Sequence, residues 1–577
     1  MSRIPTILIP MIRILMIQIP VRAGFESSQY FEVARSAPLL ARGWSWLLSW
    51  LLPWLLITTL VSASDSPVMP DAPVVDKEIA SPIGIEGARH LLGRTIFGAP
   101  LDQLQQYSSQ TREQAVDRLL ETLTTTTVTP LPPWASLTPS NIQQQRGKTE
   151  QSRMAFQKSV RRWQGELRGW WARELISTPS PLTERLVLLW HGHFTSELTK
   201  VRSAQAMLKQ NQMFRQFGSG DFRQLLHRVA LDPAMAIYLD TRRSTRDKPN
   251  ENFARELLEL FGLGEGNYSE TDILEAARAF TGYRIDQRSG ALRQIRRRHD
   301  AGEKTVLGVT GPLTGADVVD AVLAQPACAE WISRRFWTEF ISPNPDEMVL
   351  KKWAEQFKKN DWSLRSLLRV TLLSEAFWAE DSRGSLIKSP VDLVVGTIRS
   401  FQIEGAPAGQ ALRTISRLGQ QLFDPPNVAG WPGGHQWIDA TTLLGRRQFL
   451  ANEVHNLAVL NKMQHLADRD TPAPDEDPAE NPEMMAPEMM APENSPEMRV
   501  QRELPRRVKA RERRRYMPLV MKELEQMWQS LGDDSSSRSL SLQQWLLPFK
   551  PVGTVVEMGS MRNRLGSVLL DPTYQLK

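Results

Sequence analysis

Cysteine is almost missing from this chain: Cys328 is the only one in 577 residues. An internal disulfide is thereby excluded, and so are cysteine-based zinc sites. Cys328 lies in QPACAEWISRRFW, an apparent helix in which a lone thiol serves as a small core residue. Charge of one sign is also scarce, because 70 Lys and Arg face 64 Asp and Glu and leave a formal net charge of only +6. The basic residues are dispersed except at Arg296–Arg298 and from Arg499 to Arg515. A nucleic-acid groove needs basic side chains interleaved with stacking aromatics, and the second run has only Tyr516 at its end, so no nucleic-acid partner is expected. Catalytic signatures are missing too: there is no HExxH zinc helix and no GxSxG elbow. Gly262, Gly264 and Gly266 follow a helix and not a strand, which suits helix termination and a reversal better than a dinucleotide fingerprint.

From Gly43 to Ser64 charge disappears altogether, in GWSWLLSWLLPWLLITTLVSAS, with Arg35 and Arg42 before it. This is a secretory signal sequence or a membrane anchor. Its length of about 20 residues would span a bilayer, whereas the Val61-Ser62-Ala63 ending suits signal peptidase, and cleavage is favoured. An earlier apolar stretch, Ile4 to Val21, is broken by Arg13 and by Pro5, Pro10 and Pro20, so a start nearer Val33 is expected. The protein should be extracytoplasmic, in the periplasm or at the cell surface, and any membrane contact should run through residues 44–63.

What the chain does have is one helical pattern after another, with few alternating strand-like runs. The expected fold is mainly α: a multi-helical globular domain with long loops and a disordered insertion. Five parts are expected: a leader (1–63), a linker (64–80), a helical core (81–467), the insertion (468–515), and C-terminal helices returning to the core (516–577). The insertion is rich in Pro, Glu and Met and then basic, a composition that cannot bury enough apolar area to offset chain entropy. Met484, Met485, Met489 and Met490 lie there with prolines between them, which suits a spacer better than a thioether metal site. A weak repeat runs through FRQLLHRVALDPAMAIYLD from Phe222, LRSLLRVTLLSEAFWAED from Leu364 and MRNRLGSVLLDPTYQLK from Met561. Each copy reads as an amphipathic helix, a turn and an aromatic or methionine. The best loops are Gln287–Gly315 and Phe423–Trp437.

The densest stretch is PNENFARELLELFGLGEGNYSETDILEAARAFTGY, Pro249 to Tyr283. Asn250 is a helix cap, Phe253, Leu257, Leu260 and Phe261 recur at helical spacing, and Gly262 ends the helix. Ser269 with Asp272 forms a capping box for a second helix. Opposite the first apolar face, Glu251, Arg255 and Glu259 stand four apart beside Glu256. Such a row is either a solvated, ion-paired face or part of a site.

Histidine is rare, eight in all, so the pair His191 and His193 in LVLLWHGHF stands out. Residues two apart on a continuing helix diverge, but at a helix end they could chelate one ion; His193 also fits a hydrogen-bonded core histidine. His299, Asp300 and Lys304 lie together in HDAGEK. Imidazole with carboxylate suits a divalent metal that activates water. If the three segments converge, His191, His193, His299 and Asp300 are the ligands, Glu251 or Glu256 the general base, and Arg255 and Lys304 the charged auxiliaries. The segment PPNVAGWPGGHQWIDATTLLGRRQF offers Trp431, His435 and Trp437 as a rigid aromatic surface for a sugar or as a pocket cap, or as a lock on the core.

The motifs ARHLLGRTIFG, RLVLLWHGHF, PNENFARELLELFGLGEGNY, HDAGEKTVLG, LIKSPVDLVVGTIR and PPNVAGWPGGHQWIDATTLLGRR, in this order, resemble the bacterial family called domain of unknown function 1800. The likeness covers roughly Ser81 to Leu466, and the closing DPTYQLK is similar as well. Gly192 stands where the family often has Asn, Asp439 where Asn is common, and the insertion follows Leu466. The resemblance implies an exported protein without an assigned activity, and a co-encoded secreted sulfatase-like protein as partner. Two readings compete: a metal-assisted hydrolase of an extracytoplasmic substrate, and a non-catalytic scaffold or assembly partner. Glycan binding through Trp431 and Trp437 is a third.

Overall fold

Caps and apolar spacing cut the chain into helices at well-marked points. Thr111 and Gln114 close a full capping box at one helix start, and Ser389 and Asp392 do so at another, where Pro390 takes the first helical position. The computed structural model describes residues 81–403, 408–467, 535–553, 555–556 and 561–577. The expected leader, its linker and the expected insertion at 468–515 lie outside the described residues.

In chain order the helices used below are α1 (Gly84–Thr95), α2 (Arg112–Glu121), α3 (Glu150–Ser177), α4 (Pro181–His193), α5 (Ala204–Phe217), α6 (Phe222–Ala230), α7 (Asn252–Glu256), α8 (Glu270–Ala279), α9 (Pro326–Phe340), α10 (Leu364–Leu373), α11 (Pro390–Ser400), α12 (Ala440–Ala467), α13 (Ser535–Leu546) and α14 (Met561–Leu569). The fold is mainly helical. Strands are confined, among the described residues, to two short antiparallel hairpins: β1 (Tyr283–Ile285) with β2 (Leu292–Gln294), and β3 (Lys304–Val306) with β4 (Val309–Gly311). β2, β3 and β4 fall within the segment expected as loop between Gln287 and Gly315. At the second turn Leu307 and Gly308 both take positive φ, 50° and 84°, the backbone a two-residue hairpin needs.

Helix α4 lies at the centre, with twelve of its thirteen residues buried. The spacing predicts one inner face through Leu182, Leu186, Leu189 and Trp190; instead the helix is enclosed all round, as core helices are. Enclosure forces its polar residues to find partners inside. Glu184 accepts from Arg215 Nε and Nη2 on α5 at 2.7 and 2.9 Å, and from Trp171 Nε1 on α3 at 2.8 Å. Arg185 pairs with Asp392 on α11 and lies 3.6 Å from Glu339 on α9. Lys577 Nζ reaches the same Asp392 carboxylate at 2.8 Å. Burial alone would raise the Asp392 pKa, but Arg185 and Lys577 overcome it and hold the carboxyl well below the usual range.

The C-terminal residues pack on the same core. Trp545 of α13 donates to the Ala99 carbonyl at 3.1 Å, and Tyr574 and Thr397 share a hydroxyl bond of 3.0 Å. All three repeat copies form a helix followed by a short second helix, capped by Asp232, Ser374 and Asp571 respectively. The first two copies meet at their starts: Phe222 N donates to Trp362 O at 2.9 Å and Leu364 N to Gly220 O at 2.8 Å. Cys328 on α9 is fully buried, and burial pushes its thiol pKa up. No described helix is long and apolar enough to cross a membrane.

Replacing Asp392 by Ala removes the one carboxylate that Arg185 and Lys577 share. A buried pair broken on one side typically costs about 3–5 kcal/mol, and urea denaturation of Asp392→Ala should show a loss of that order. A loss under roughly 1 kcal/mol would mean that both cations are compensated elsewhere.

Candidate functional site

The two histidines of α4 end the helix, yet they do not act together. Two residues turn the helix by about 200°, so the imidazoles leave on nearly opposite sides. His191 enters an aromatic box of Trp171, Phe214 and Phe423, with ring centroids 4.8, 4.8 and 5.1 Å away. Its Nε2 lies 3.1 Å from Asn211 Nδ2. Arg215 donates to the Asn211 oxygen at 2.9 Å, which orients the amide so that its NH2 donates to His191. The His191 Nε2 lone pair is therefore already in use. His193 packs against Trp190 and Phe194, and its Nε2 lies 3.0 Å from the Phe261 carbonyl. A carbonyl only accepts, so Nε2 carries the proton. Burial, joined by Arg215 for His191 and Arg335 for His193, lowers each pKa to about 3, and both rings stay neutral.

The ENFARE and HDAGEK segments occupy opposite ends of α8. Near its start, Arg255 bridges Glu251 at 3.1 Å and Glu270 at 2.9 Å on the surface. Near its end, Arg278 binds Glu275 and Asp300, each at 2.7 Å. Eight residues of helix separate Glu270 from Arg278, roughly 12 Å along the axis. His299 Nδ1 lies 3.0 Å from Gln294 Nε2 and 3.2 Å from Thr281 Oγ1, and burial lowers its pKa. The Lys304 side chain is buried in β3 and donates to the Gly302 carbonyl at 2.8 Å. Its pKa is lowered by burial. Glu256 is partly buried without a hydrogen-bond or ion-pair partner among the described residues, and burial with Glu259 beside it raises its carboxyl pKa.

The convergence expected of His191, His193, His299 and Asp300 thus does not occur. Among the described residues no three His, Cys, Asp or Glu side chains gather in a way that could hold a metal ion. Each expected ligand is committed to a nearer partner: Asn211, the Phe261 carbonyl, Gln294 with Thr281, and Arg278. Glu251 and Arg255 take part, with Glu270, in an ion-paired surface face. The helix expected to stop at Gly262 continues as a π-turn from Leu257 to Leu263 and ends at Gly264, whose φ is 79°. Asn250, the expected cap, stands one residue before the observed cap Glu251 and accepts from Asn252 N at 3.1 Å.

The tryptophan loop presses on the end of α4. A Cβ at Gly430, where φ is 97°, would meet Gly192 O at 2.1 Å, so only glycine permits this approach. Trp431 is partly buried against the core, and its enclosed indole N–H has no acceptor among the described residues. Trp437 is buried and His435 is exposed. A paired platform of open indoles is therefore not formed. Asp439 caps α12, accepting from the backbone N–H groups of Thr441 and Thr442 at 2.7 and 2.8 Å, so the carboxylate in place of Asn suits that helix start.

Three segments that the sequence marks only as part of the family pattern do meet. ARHLLGRTIFG, LIKSPVDLVVGTIR and DPTYQLK line one cavity of about 60 Å³ between α1, α11 and the C-terminal residues. Arg89, Arg383, Lys388 and Lys577 face it. The Lys388 ammonium lies 3.7 Å from the centre of the Tyr574 ring, and burial, opposed by Asp392, lowers its pKa to about 7. The signal for this place is a charged residue in an otherwise apolar run, Asp392 in PVDLVVGTI and Lys388 just before its cap.

The family model described as protein of unknown function DUF1800 matches residues 90–575, and the chain belongs to that family. No curated protein and no solved structure matches the chain.

The neutral, buried histidines set a pH dependence. Their folded pKa of about 3 lies below the ordinary 6.5, so the unfolded state binds more protons between these values and stability falls with pH across that window. At 1.36 kcal/mol per pH unit, acidification from 6.5 to 5 should cost roughly 2 kcal/mol per histidine. Urea midpoints at pH 7 and 5 should show this drop, and His191→Gln should make it smaller; an equal drop in the variant would assign the acid sensitivity to other groups.

Proposed function

We propose that this member of the family is an exported, non-catalytic helical framework that acts by holding a partner. The observation that carries the reading is the divergence of the two α4 imidazoles, His191 with its Nε2 lone pair taken by Asn211 and His193 held on the other side of the helix by the Phe261 carbonyl, with no third ligand gathered at either among the described residues. A metal-assisted hydrolase needs ligands with free lone pairs around an open coordination position. Here the imidazoles diverge and aromatic rings close around His191. The partner with the best claim is the co-encoded secreted sulfatase-like protein that the family resemblance implies, and export rests on the apolar, charge-free run before Ser64.

Metal analysis of the purified protein tests the catalytic half of this reading. The expected result is less than about a tenth of an equivalent of any transition metal, with a melting temperature unchanged by a chelator. A stoichiometric metal that disappears in His193→Ala would overturn it. Co-expression with the sulfatase-like protein tests the other half: the two should co-purify, and separate elution at micromolar concentration would remove that partner.

A further inference from the structure

The cavity between α1, α11 and the C-terminal residues has an excess of positive charge. Four cationic side chains line it, of which Arg89 already donates to the Gln544 and Pro548 carbonyls, and two side-chain carboxylates are near. Of these, Asp392 is already shared by Arg185 and Lys577, and Glu86 sits 3.3 Å from Arg383 on the outer side. Lys388 Nζ has no carboxylate or carbonyl within bonding distance among the described residues, only the Tyr574 ring. Among the described residues the buried Arg383 Nε has no acceptor, and Arg446 leaves Nε and Nη2 without acceptors while one of its amino groups binds Gln575. Arg446, Lys577 and Arg89 all act electrostatically on Lys388. Buried cations are ordinarily paired, because an uncompensated charge in a poorly solvated interior is costly.

The cavity also has room for a small guest. Its volume of about 60 Å³ admits a few water molecules, and so a group as small as a tetrahedral oxyanion. Gly93 leaves part of the wall open: a Cβ built there meets nothing within 4 Å. We propose that this cavity is an oxyanion-binding site for a phosphate or sulfate group, held by Lys388 and Arg383 with Arg89 and Lys577 supplying the surrounding positive field. Arginine provides directional donors to such a group and lysine a mobile point charge. The proposal goes beyond the framework reading and is independent of it, since it uses none of the α4 histidines.

Thermal melting of the full chain in sodium phosphate, in sodium sulfate and in sodium chloride of matched ionic strength tests it. Phosphate or sulfate should raise the melting temperature beyond chloride, and calorimetric titration should return one site per chain. Lys388→Met should weaken the oxyanion at least tenfold while melting no lower than the parent in chloride, because a buried charge has been removed. Gly93→Leu, which fills the space and keeps every charge, should abolish binding as well. Glycerol phosphate is a second probe: binding as tight as inorganic phosphate supports the site as a holder of a headgroup or other monoester, and binding of the inorganic ion alone supports it as a closed ion site. Equal shifts in all three salts, or undiminished binding in both variants, would overturn the proposal.

Discussion

The architecture depends on burying ionic groups inside helix α4. An apolar helix would accept many neighbours in many registers, since burial of apolar area is not directional. Glu184 and Arg185 remove that freedom, because each must meet an opposite charge and a set of donors or acceptors in one geometry. Glu184 selects α5 through Arg215 and α3 through Trp171. Arg185 selects α11 through Asp392 and α9 through Glu339. Two adjacent side chains thus specify four packing partners. Asp392 then extends the same constraint to Lys577, so Arg185 and Lys577, at remote points of the sequence, answer to one carboxylate.

The helical character was legible because it rests on local chemistry. The Ser269–Asp272 capping box and the three copies of helix, turn and short helix are all present as their residues suggest. The π-turn was not legible: Gly262 reads as a terminator, but it lies where a Cβ would meet Val322 at 2.6 Å, so its smallness serves packing between helices. The hairpins were hidden for a related reason. Strands of three residues are too short to show alternation, and positive φ at Leu307 cannot be read from a leucine.

The candidate site was the least legible feature. His191, His193, His299 and Asp300 are the residue types a metal would choose, and residue type was the whole of the signal. Whether a histidine ligates or fills a core depends on the angle around α4 and on an asparagine twenty residues away, neither of which spacing reports. The converse error hid the cationic cavity. Arg89, Lys388 and Lys577 come from three remote segments, each of which looks like an ordinary helix flank on its own, and only the folded chain brings them to one cavity.

The solitary thiol on α9 gives the molecule a built-in tally of its own breathing. Because Cys328 is sealed in the core and its proton is held tightly, alkylating reagents can reach it only during excursions that part α9 from its neighbours. With no second sulfhydryl to confuse the count, the pace of modification converts directly into the frequency of those openings in the native protein, without label or engineered reporter.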